Sequence, residues 1–302
     1  SFSGGMDSTI MASILLQLRP KYNFNLGFAH FNHNAHSKSD IMEQFTSQYS
    51  FYNNVDYYIN GLFIDSHCNF ESWAREKRYK ILNNIANKHL YQIILTAHHQ
   101  NDQLETLYMK KSDGGDWISQ IGIRENIGKL RRPFLSIAKK EITSYATKHN
   151  ISWIEDPTNS NMNYRRNNIR HFQLARALQA DPKLKTSLLS TANKNLIKMK
   201  VTTRKIKQEM TKLIKDYSRY NVRINRNPLQ KYSIEELKLF IYIYIPYLLN
   251  ITLKQQTGGL WREFKSFINE SNSGSIFQID TLTFIINRSE IIALDHYGNL
   301  QV

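Results

Sequence analysis

The sequence predicts an α/β protein in which a parallel sheet flanked by helices is followed by a basic helical linker and a small α+β domain. In the first half, short apolar runs alternate with helical stretches, and strands separated by helices pair in parallel through right-handed crossovers. Beyond about residue 180, one long helical pattern precedes two helices and hairpin-like strands. We therefore expect three parts, residues 1–178, 179–218 and 219–302.

The first half carries three apolar runs that read as strands, at residues 24–30, 55–59 and 91–97. Helical patterns surround them at residues 8–18, 39–49, 70–89 and 102–111. In a sheet of this kind, ligands bind at the carboxyl ends of the strands. The residues that directly follow the strands are therefore the first candidates for a site.

The second half begins with a long helical pattern over residues 181–217, in which apolar residues recur every three or four positions. Another face of this helix repeats lysine, at Lys194, Lys198, Lys205 and Lys212. Two shorter helices are expected at 234–249 and 260–269, and strands at 275–279, 283–287 and 290–294.

The positive charge is concentrated in the middle of the chain. Residues 165–231 hold 18 basic and 3 acidic residues, which accounts for the whole net charge of +15. Such an excess favours binding of a polyanion, although a solvated helix surface or an anionic membrane surface is an alternative. Tyr217, Tyr220 and Tyr232 are interleaved with arginines in this segment, which favours RNA because bases stack on rings and guanidinium planes.

The chain of 302 residues and 35.5 kDa has 41% hydrophobic residues, enough for a packed core, and one cysteine, Cys68. A disulfide framework and a Cys-rich metal site are excluded, and we expect a reducing, cytoplasmic location. No apolar stretch reaches the roughly 18 residues that cross a membrane, so no membrane partner is expected. His30, His33, His98 and His99 lack partners at zinc-site spacing, so no structural metal is expected.

A glycine-rich turn opens the chain, Ser3-Gly4-Gly5-Met6-Asp7-Ser8, and a helical pattern follows it. Two glycines let backbone N–H groups form a concave nest, and a helix N-terminus adds positive partial charge, which together suit a phosphate. Asp7 would hold Mg²⁺ against a polyphosphate. The alternative is a plain turn that caps a helix. The lysine of the GxxxxGK[ST] phosphate loop is missing from this turn.

A second candidate site is the acidic pair Asp102 and Glu105, which are three residues apart at a helix start and share one face. They form either a helix cap or a cation site. In a cation site they would bind an ammonium, and one could accept its proton, because only a free amine attacks. Arg75 and Arg78 would reach nucleotide phosphates or this pair; for Arg78, a structural salt bridge with Glu71 or Glu76 is the alternative.

The SGGxDS turn resembles that of the N-type ATP pyrophosphatases, which belong to the PP-loop superfamily with an adenine-nucleotide α-hydrolase-like fold. Further motifs resemble the tRNA(Ile)-lysidine synthetases within it. These motifs are His30-Phe31-Asn32-His33, Ala74-Arg75-Glu76-Lys77-Arg78-Tyr79, residues 97–106, Arg132-Pro133-Phe134-Leu135, residues 155–159 and Arg166-Asn167-Asn168-Ile169-Arg170. The resemblance covers residues 1 to about 175.

The resemblance implies an ATP-dependent ligase that uses Mg²⁺. The C2 oxygen of the wobble cytidine of CAU-anticodon tRNA(Ile) would attack the α-phosphate and release pyrophosphate. The amine of free L-lysine would then attack C2 and release AMP, changing codon reading from AUG to AUA. The residues matched to ATP are Ser3, Gly4, Gly5, Met6, Asp7, Ser8, His30 and His33; those matched to catalysis are Asp7, Asp102 and Glu105.

The remaining implied contacts are with lysine and tRNA, and a homodimer is compatible with the sequence. Lysine would be bound by Asp102, Glu105, Arg75 and Arg78. The tRNA would be bound by Arg166, Asn167, Arg170, Lys194, Lys198, Lys205 and Lys212. Three segments depart from the family pattern: Asn101, residues 34–36 and residues 113–116. A tRNA-base thiolase of the same superfamily and a non-catalytic RNA-binding protein are the alternative functions.

Overall fold

The computed structural model describes residues 1–32, 38–61, 70–162, 164–249, 251, 253 and 258–295. The chain packs as two units. Unit 1 comprises Ser1–Gly115 and Ser119–Ala192, and unit 2 comprises Asp116–Ile118 and Asn193–Val302. The expected linker, residues 179–218, is divided between the two units, and the three-part division stays a prediction.

Unit 1 alternates helices and strands as the sequence predicts. Its elements are α1 (Met6–Tyr22), β1 (Gly27–Asn32), α2 (Ser39–Tyr52), β2 (Asp56–Gly61), α3 (Phe70–Lys88), β3 (Ile94–Leu95), α4 (Gln100–Ser112), β4 (Asn126–Ile127), β5 (Leu130–Arg131), α5 (Lys139–Lys148), α6 (Arg165–Asn168) and α7 (Leu174–Ala180). A π-helical turn, Ile169–Gln173, joins α6 to α7. Short 3₁₀ turns lie at Ser119–Ile121 and Pro157–Ser160.

The predicted parallel pairing is confirmed. Strand β1 pairs in parallel with β2, and β3 pairs in parallel with β5, while β4 joins the other edge of β5 in the antiparallel direction. The strand expected at 91–97 is shorter than predicted, since only Ile94–Leu95 pairs.

Side chains of β1 pack on both faces of the sheet. Phe28 packs in a cluster with Phe2 and with residues of α1 and α2. Its neighbours Ala29 and Phe31 point the other way and pack with Leu82 and Ala86 of α3. This alternation is the pattern of a strand that is buried on both faces, and it leaves the carboxyl ends of the strands to form the site.

Helix α8 (Leu184–Leu213) begins in unit 1 and ends in unit 2. The remaining elements are β6 (Ile214–Tyr217), β7 (Asn221–Asn225), α9 (Arg226–Gln230), α10 (Ile234–Leu239), α11 (Ile245–Leu249), α12 (Gly258–Glu270), β8 (Ile276–Ile279), β9 (Leu282–Asn287) and β10 (Glu290–Asp295). The five strands form one antiparallel sheet in the order β6-β7-β10-β9-β8. Its core includes the fully buried Phe240, Phe264 and Phe284.

Two predictions for this half are wrong in detail. The long helix ends at Leu213, and the segment expected to complete it pairs as β6. The helix expected at 234–249 is interrupted by a π-helical turn, Phe240–Tyr244, just before Pro246. Proline has no N–H and its ring clashes with the carbonyl four residues earlier, so a regular α-helix cannot run through this position. No helix in the described part of the chain is long and apolar enough to cross a membrane.

Candidate active site

The glycine-rich turn lies at the N-terminus of α1, with Gly5 as the residue before the helix. Gly4 has a φ of +84°, a backbone conformation that residues other than glycine rarely adopt. The hydroxyls of Ser3 and Ser8 lie 3.0 Å apart, and the Ser3 N–H donates to Ser8 Oγ at 3.2 Å. These bonds stabilise the turn at the N-terminus of α1. The N-terminus of a helix carries a positive partial charge and free N–H groups, which suit an anion.

Asp7, in the first turn of α1, contacts two other elements. Its Oδ1 accepts a hydrogen bond from Lys139 Nζ at 2.6 Å, and its Oδ2 lies 3.7 Å from His99 Nε2. His99 Nδ1 in turn accepts from the Asp102 N–H at 3.3 Å. The two ring nitrogens of His99 therefore face different partners, Nδ1 the start of α4 and Nε2 the carboxylate of Asp7.

His99 is also the N-cap of α4, so Asp102 takes part in a helix cap, one of the two interpretations of the acidic pair; the cation site stays a prediction. The His99 N–H donates to Asp102 Oδ2 at 2.9 Å, which makes a capping box between His99 and Asp102. Glu105 takes no part in that cap and is 1% exposed. Burial raises the pKa of Asp102, but the neighbouring His99 and Arg166 outweigh it, so the pKa is lowered.

Two arginines from α6 and the π-helical turn bind the acidic pair. Arg166 donates to Glu105 Oε2 at 2.8 Å and to Asp102 Oδ1 at 3.1 Å. Arg170 donates to Glu105 Oε1 at 2.6 Å. Since π-helical turns are frequent at functional sites, the turn that carries Arg170 belongs to the candidate site. The contacts expected between these arginines and tRNA stay a prediction.

Asn167, another residue assigned to tRNA, is buried. Its amide donates to the carbonyl oxygens of Thr158 at 2.8 Å and Asn161 at 2.9 Å. In the structure it therefore holds the segment after Asp156 against α6, and its contact with tRNA stays a prediction.

The arginines of α3 lie beside aromatic rings. Arg75 is 5.2 Å from the centroid of the Tyr79 ring, and Arg78 is 6.0 Å from that of Phe31. Burial lowers the pKa of Arg75, and the negative charge of Asp102 opposes this shift; the contact of Arg75 with lysine stays a prediction. Burial lowers the pKa of Arg78.

The histidines differ in environment. Burial lowers the pKa of His98 and His30, and so favours the neutral imidazole in both. His30, on β1, is buried, with Nδ1 3.1 Å from the Phe2 carbonyl oxygen, so it supports the residue before the turn. His33 lies outside the described residues.

Comparison with protein families identifies this arrangement. A profile of the PP-loop domain family matches residues 1–177. The chain belongs to the PP-loop family. This family uses ATP, and the turn at Ser3–Ser8, which is called the PP-loop below, lies within the matched residues; its binding of ATP stays a prediction.

Several curated relatives of this PP-loop chain are named tRNA(Ile)-lysidine synthase. The protein from Buchnera aphidicola subsp. Acyrthosiphon pisum is 34% identical over 178 residues, which are 57% of this chain and 40% of the relative. That from Buchnera aphidicola subsp. Baizongia pistaciae is 30% identical over 236 residues, which are 74% of this chain and 52% of the relative. The chain therefore spans about half or less of these relatives.

Among solved structures, the U34-tRNA thiolase NcsA from Methanococcus maripaludis, with its [4Fe-4S] cluster, has a similar fold. The TM-score is 0.54 at 17% identity, covering 64% of this chain and 69% of that one. At this identity the likeness shows the fold alone.

Sequence reasoning missed Lys139, whose ammonium contacts Asp7 of the PP-loop. The only local signal is a Lys139-Lys140 pair at a helix start, and the sequence does not indicate which of the two faces the loop. Asn101, which departs from the family pattern, accepts the Lys139 N–H at 3.1 Å. An amide oxygen accepts this bond as a carboxylate would, without the charge.

The lysines of α8 that were assigned to tRNA, Lys194, Lys198, Lys205 and Lys212, are exposed. Two of them have neighbours in unit 2: Lys198 lies 4.2 Å from the ring centroid of Trp117, and Lys205 pairs with Glu236 at 2.7 Å. The prediction that Tyr232 stacks on RNA bases is wrong, because Tyr232 is 4% exposed and donates to Glu209 at 2.6 Å. Tyr217 and Tyr220 are exposed.

The residues that the structure describes contain no group of three or more His, Cys, Asp or Glu arranged to hold a metal. Cys68 and residues 34–36 lie outside them. A Mg²⁺ ion bound with a nucleotide requires fewer protein ligands, since one or two carboxylates and the substrate phosphates commonly complete its coordination shell. Asp7 beside the PP-loop fits that donor set.

Proposed function

We propose that this chain catalyses ATP-dependent ligation of L-lysine to C2 of the wobble cytidine in CAU-anticodon tRNA(Ile). The observation that supports this most directly is the link through His99. One side chain contacts Asp7 of the PP-loop and Asp102 of the acidic pair, at 3.7 and 3.3 Å. This contact supports the proposal, because a reaction that joins an activated base to an amine requires the proposed ATP site and the proposed cation site to lie side by side.

In the first step, residues 3–8 bind the phosphates of ATP, and Asp7 holds Mg²⁺. The C2 oxygen of cytidine attacks the α-phosphate, the bond to the β-phosphate breaks, and pyrophosphate leaves. The N–H groups at the start of α1 stabilise the charge that develops on the departing group.

In the second step, the amine of lysine attacks C2, and the C2–O bond breaks to release AMP. We assign Asp102 and Glu105 to binding the ammonium of the incoming lysine. The ammonium must lose a proton before its nitrogen attacks C2, and the nitrogen loses a second proton as the C–N bond forms. The lowered pKa of Asp102 makes this carboxylate a weak proton acceptor, so we propose that Glu105 accepts these protons in turn and passes them to solvent. Because Arg166 and Arg170 bind the same oxygens, lysine must displace or share these contacts.

The basic face of α8 and the exposed Tyr217 and Tyr220 are proposed to bind tRNA. Repeated lysines on one helix face suit a phosphate backbone, which is bound largely through charge. A cytoplasmic location remains a prediction from the sequence, and a homodimer remains compatible with it.

The test is to incubate a CAU-anticodon tRNA(Ile) transcript with the protein, ATP, Mg²⁺ and isotopically labelled lysine, and to analyse the nucleosides by mass spectrometry. We expect one cytidine to gain labelled lysine. A transcript with uridine at the wobble position is the matched control and should gain none.

Two other outcomes would contradict the proposal. A mass increase that requires a sulfur donor instead of lysine would indicate the thiolase alternative. Binding of the transcript without pyrophosphate release or any mass change would indicate a non-catalytic RNA-binding protein.

A further inference from the structure

The PP-loop of this chain contains no lysine, yet the ammonium of a lysine from another helix contacts it. Lys139 is the first residue of α5, 132 positions from Asp7 in sequence, and its Nζ donates to Asp7 Oδ1 at 2.6 Å. A leaving pyrophosphate carries several negative charges. Backbone N–H groups offer only partial charges, so a full positive charge at this position would add strongly to its binding.

The backbone of Lys139 is fixed from two sides. Its own N–H donates to Asn101 Oδ1 of α4 at 3.1 Å, and the preceding Ala138 N–H donates to Glu141 Oε2 at 2.9 Å. Helix α5 also packs on α1, where Ile142 and Ala146 cluster with Ile10. The base of the side chain is therefore held against the helix that begins at the PP-loop.

The ammonium itself is free to change partner. The side chain of Lys139 is 33% exposed, and that of Asp7 is 28% exposed. When Asp7 takes up Mg²⁺, its carboxylate charge is shared with the metal and its hold on Lys139 weakens. Phosphate oxygens in the turn then become the strongest nearby acceptors.

We propose that Lys139 binds the β- and γ-phosphates of ATP and the leaving pyrophosphate, moving from Asp7 to the phosphates as the substrate enters. This inference rests on the proposed ATP site and adds a residue to it. Lys139 thereby supplies from another helix the cation that other phosphate loops carry within the loop itself.

The alternative is that Lys139 only holds Asp7 in place, and a double-mutant cycle separates the two roles. The probe is inorganic pyrophosphate with Mg²⁺, and its Kd is measured by calorimetry on the full chain. In the Asp7→Asn background the ion pair is already lost. Adding Lys139→Met then weakens binding further only if Lys139 contacts the phosphates.

We expect Lys139→Met to raise the Kd of pyrophosphate about 10- to 100-fold in both backgrounds, as loss of a charge-assisted hydrogen bond predicts. Lys140→Met is the matched control, because Lys140 is exposed one residue further along α5, and it should change Kd by less than about 2-fold. Lys139→Arg keeps the charge and should restore most of the affinity, which guards against a folding defect.

Equal Kd values for Asp7→Asn and Asp7→Asn/Lys139→Met would overturn the inference. If labelled lysine still enters tRNA in the assay above, the proposed function survives that result. If instead the Kd depends on Lys139 but no lysine enters tRNA, the inference holds and the proposed reaction fails. Absence of pyrophosphate and ATP binding to the wild-type chain would overturn both.

Discussion

One carboxylate from each unit, Glu105 and Glu290, can be compared, because each contacts two cationic side chains. Glu105 in unit 1 binds Arg166 and Arg170, and Glu290 in unit 2 binds Lys215 and Arg223. In unit 2 the partners come from neighbouring strands, β6 and β7, and are 50% and 37% exposed. This is a cross-strand charge pairing of the kind that stabilises sheets.

The Glu105 cluster differs in what it connects. It contains a second carboxylate, Asp102, which also caps α4 and reaches the PP-loop through His99. Its arginines come from α6 and a π-helical turn, more than sixty residues away in sequence. The number of charges is similar in both clusters, so charge composition alone does not mark a site. The Glu105 cluster is the candidate site because it has a second carboxylate, Asp102, and because it contacts the PP-loop through His99.

The largest expected effect comes from removing the charge of Glu105. Glu105→Gln should lower kcat/KM for lysine about 100-fold, since a buried charge partner is lost, while pyrophosphate exchange with tRNA stays within about 3-fold of wild type. The assays are steady-state lysine incorporation and pyrophosphate exchange. Glu290→Gln, the matched control, should change neither, and an unaltered KM for lysine in Glu105→Gln would remove Glu105 from the lysine site.

The second effect is on stability. Glu105→Gln removes one of the two carboxylates that Arg166 and Arg170 share, and Asp102 remains at 3.1 and 3.6 Å from them. The loss of charge-assisted hydrogen bonds to a buried carboxylate should lower the free energy of unfolding of unit 1 by about 2 kcal/mol. Hydrogen exchange of the α4 amides measures this locally. Glu290→Gln should have a smaller effect on the exchange of β10, because its partners are better exposed to solvent. The reverse order would contradict the distinction between the two clusters.

The third effect is a pH dependence. The pKa of Asp102 in the folded protein is lowered by His99 and Arg166, which outweigh burial. Such a group stabilises the fold above its unfolded pKa of about 3.9, and the contribution is lost as the pH falls through the folded pKa. Asp102→Asn should therefore be less stable than wild type at pH 7. The melting temperatures of the two proteins should differ by a constant amount above about pH 4 and approach each other only as the pH falls further. A difference that already shrinks well above pH 4, or that stays constant far below it, would contradict the assignment.

The smallest effect concerns the exposed cations of unit 2. Lys194→Gln and Lys212→Gln should each lower the slope of log K against log salt for tRNA binding by about 1. Lys205→Gln should lower it less, because Lys205 already pairs with Glu236. Filter binding at several salt concentrations measures the slopes, and equal slopes for wild type and all three variants would indicate a solvated helix surface.

The parts of the fold and site that the sequence predicted are those that depend on neighbouring residues. The order of strands and helices in unit 1, the turn before α1 and the shared face of Asp102 and Glu105 all follow from spacing over a few residues. Contacts between residues that are far apart in the chain could not be predicted from this local spacing. Nothing in the sequence indicated that Arg166 and Arg170 meet Glu105, or that Lys139 meets Asp7.

In unit 2, the same reliance on local pattern misplaced the end of α8. Apolar residues keep helical spacing as far as Tyr217, yet residues 214–217 pair with β7. Residues 214–217 form a strand in spite of their helical spacing because they pair with β7. This pairing buries the adjacent Leu213 and the facing Val222 in the unit 2 core. Periodicity predicts which residues share a face, and only the partner decides which structure they adopt.

The division of the chain has a practical consequence for dissecting it. Trp117 and Ile118 lie far upstream of the rest of unit 2 in sequence, yet they pack against its hydrophobic core. A chain cut after Ala192 would keep both residues but lose the surface that covers them, and it would present a tryptophan and an isoleucine to water. Deletion of the C-terminal part should therefore yield a fragment that aggregates. Expression of the N-terminal part alone requires that Trp117 and Ile118 be replaced by polar residues.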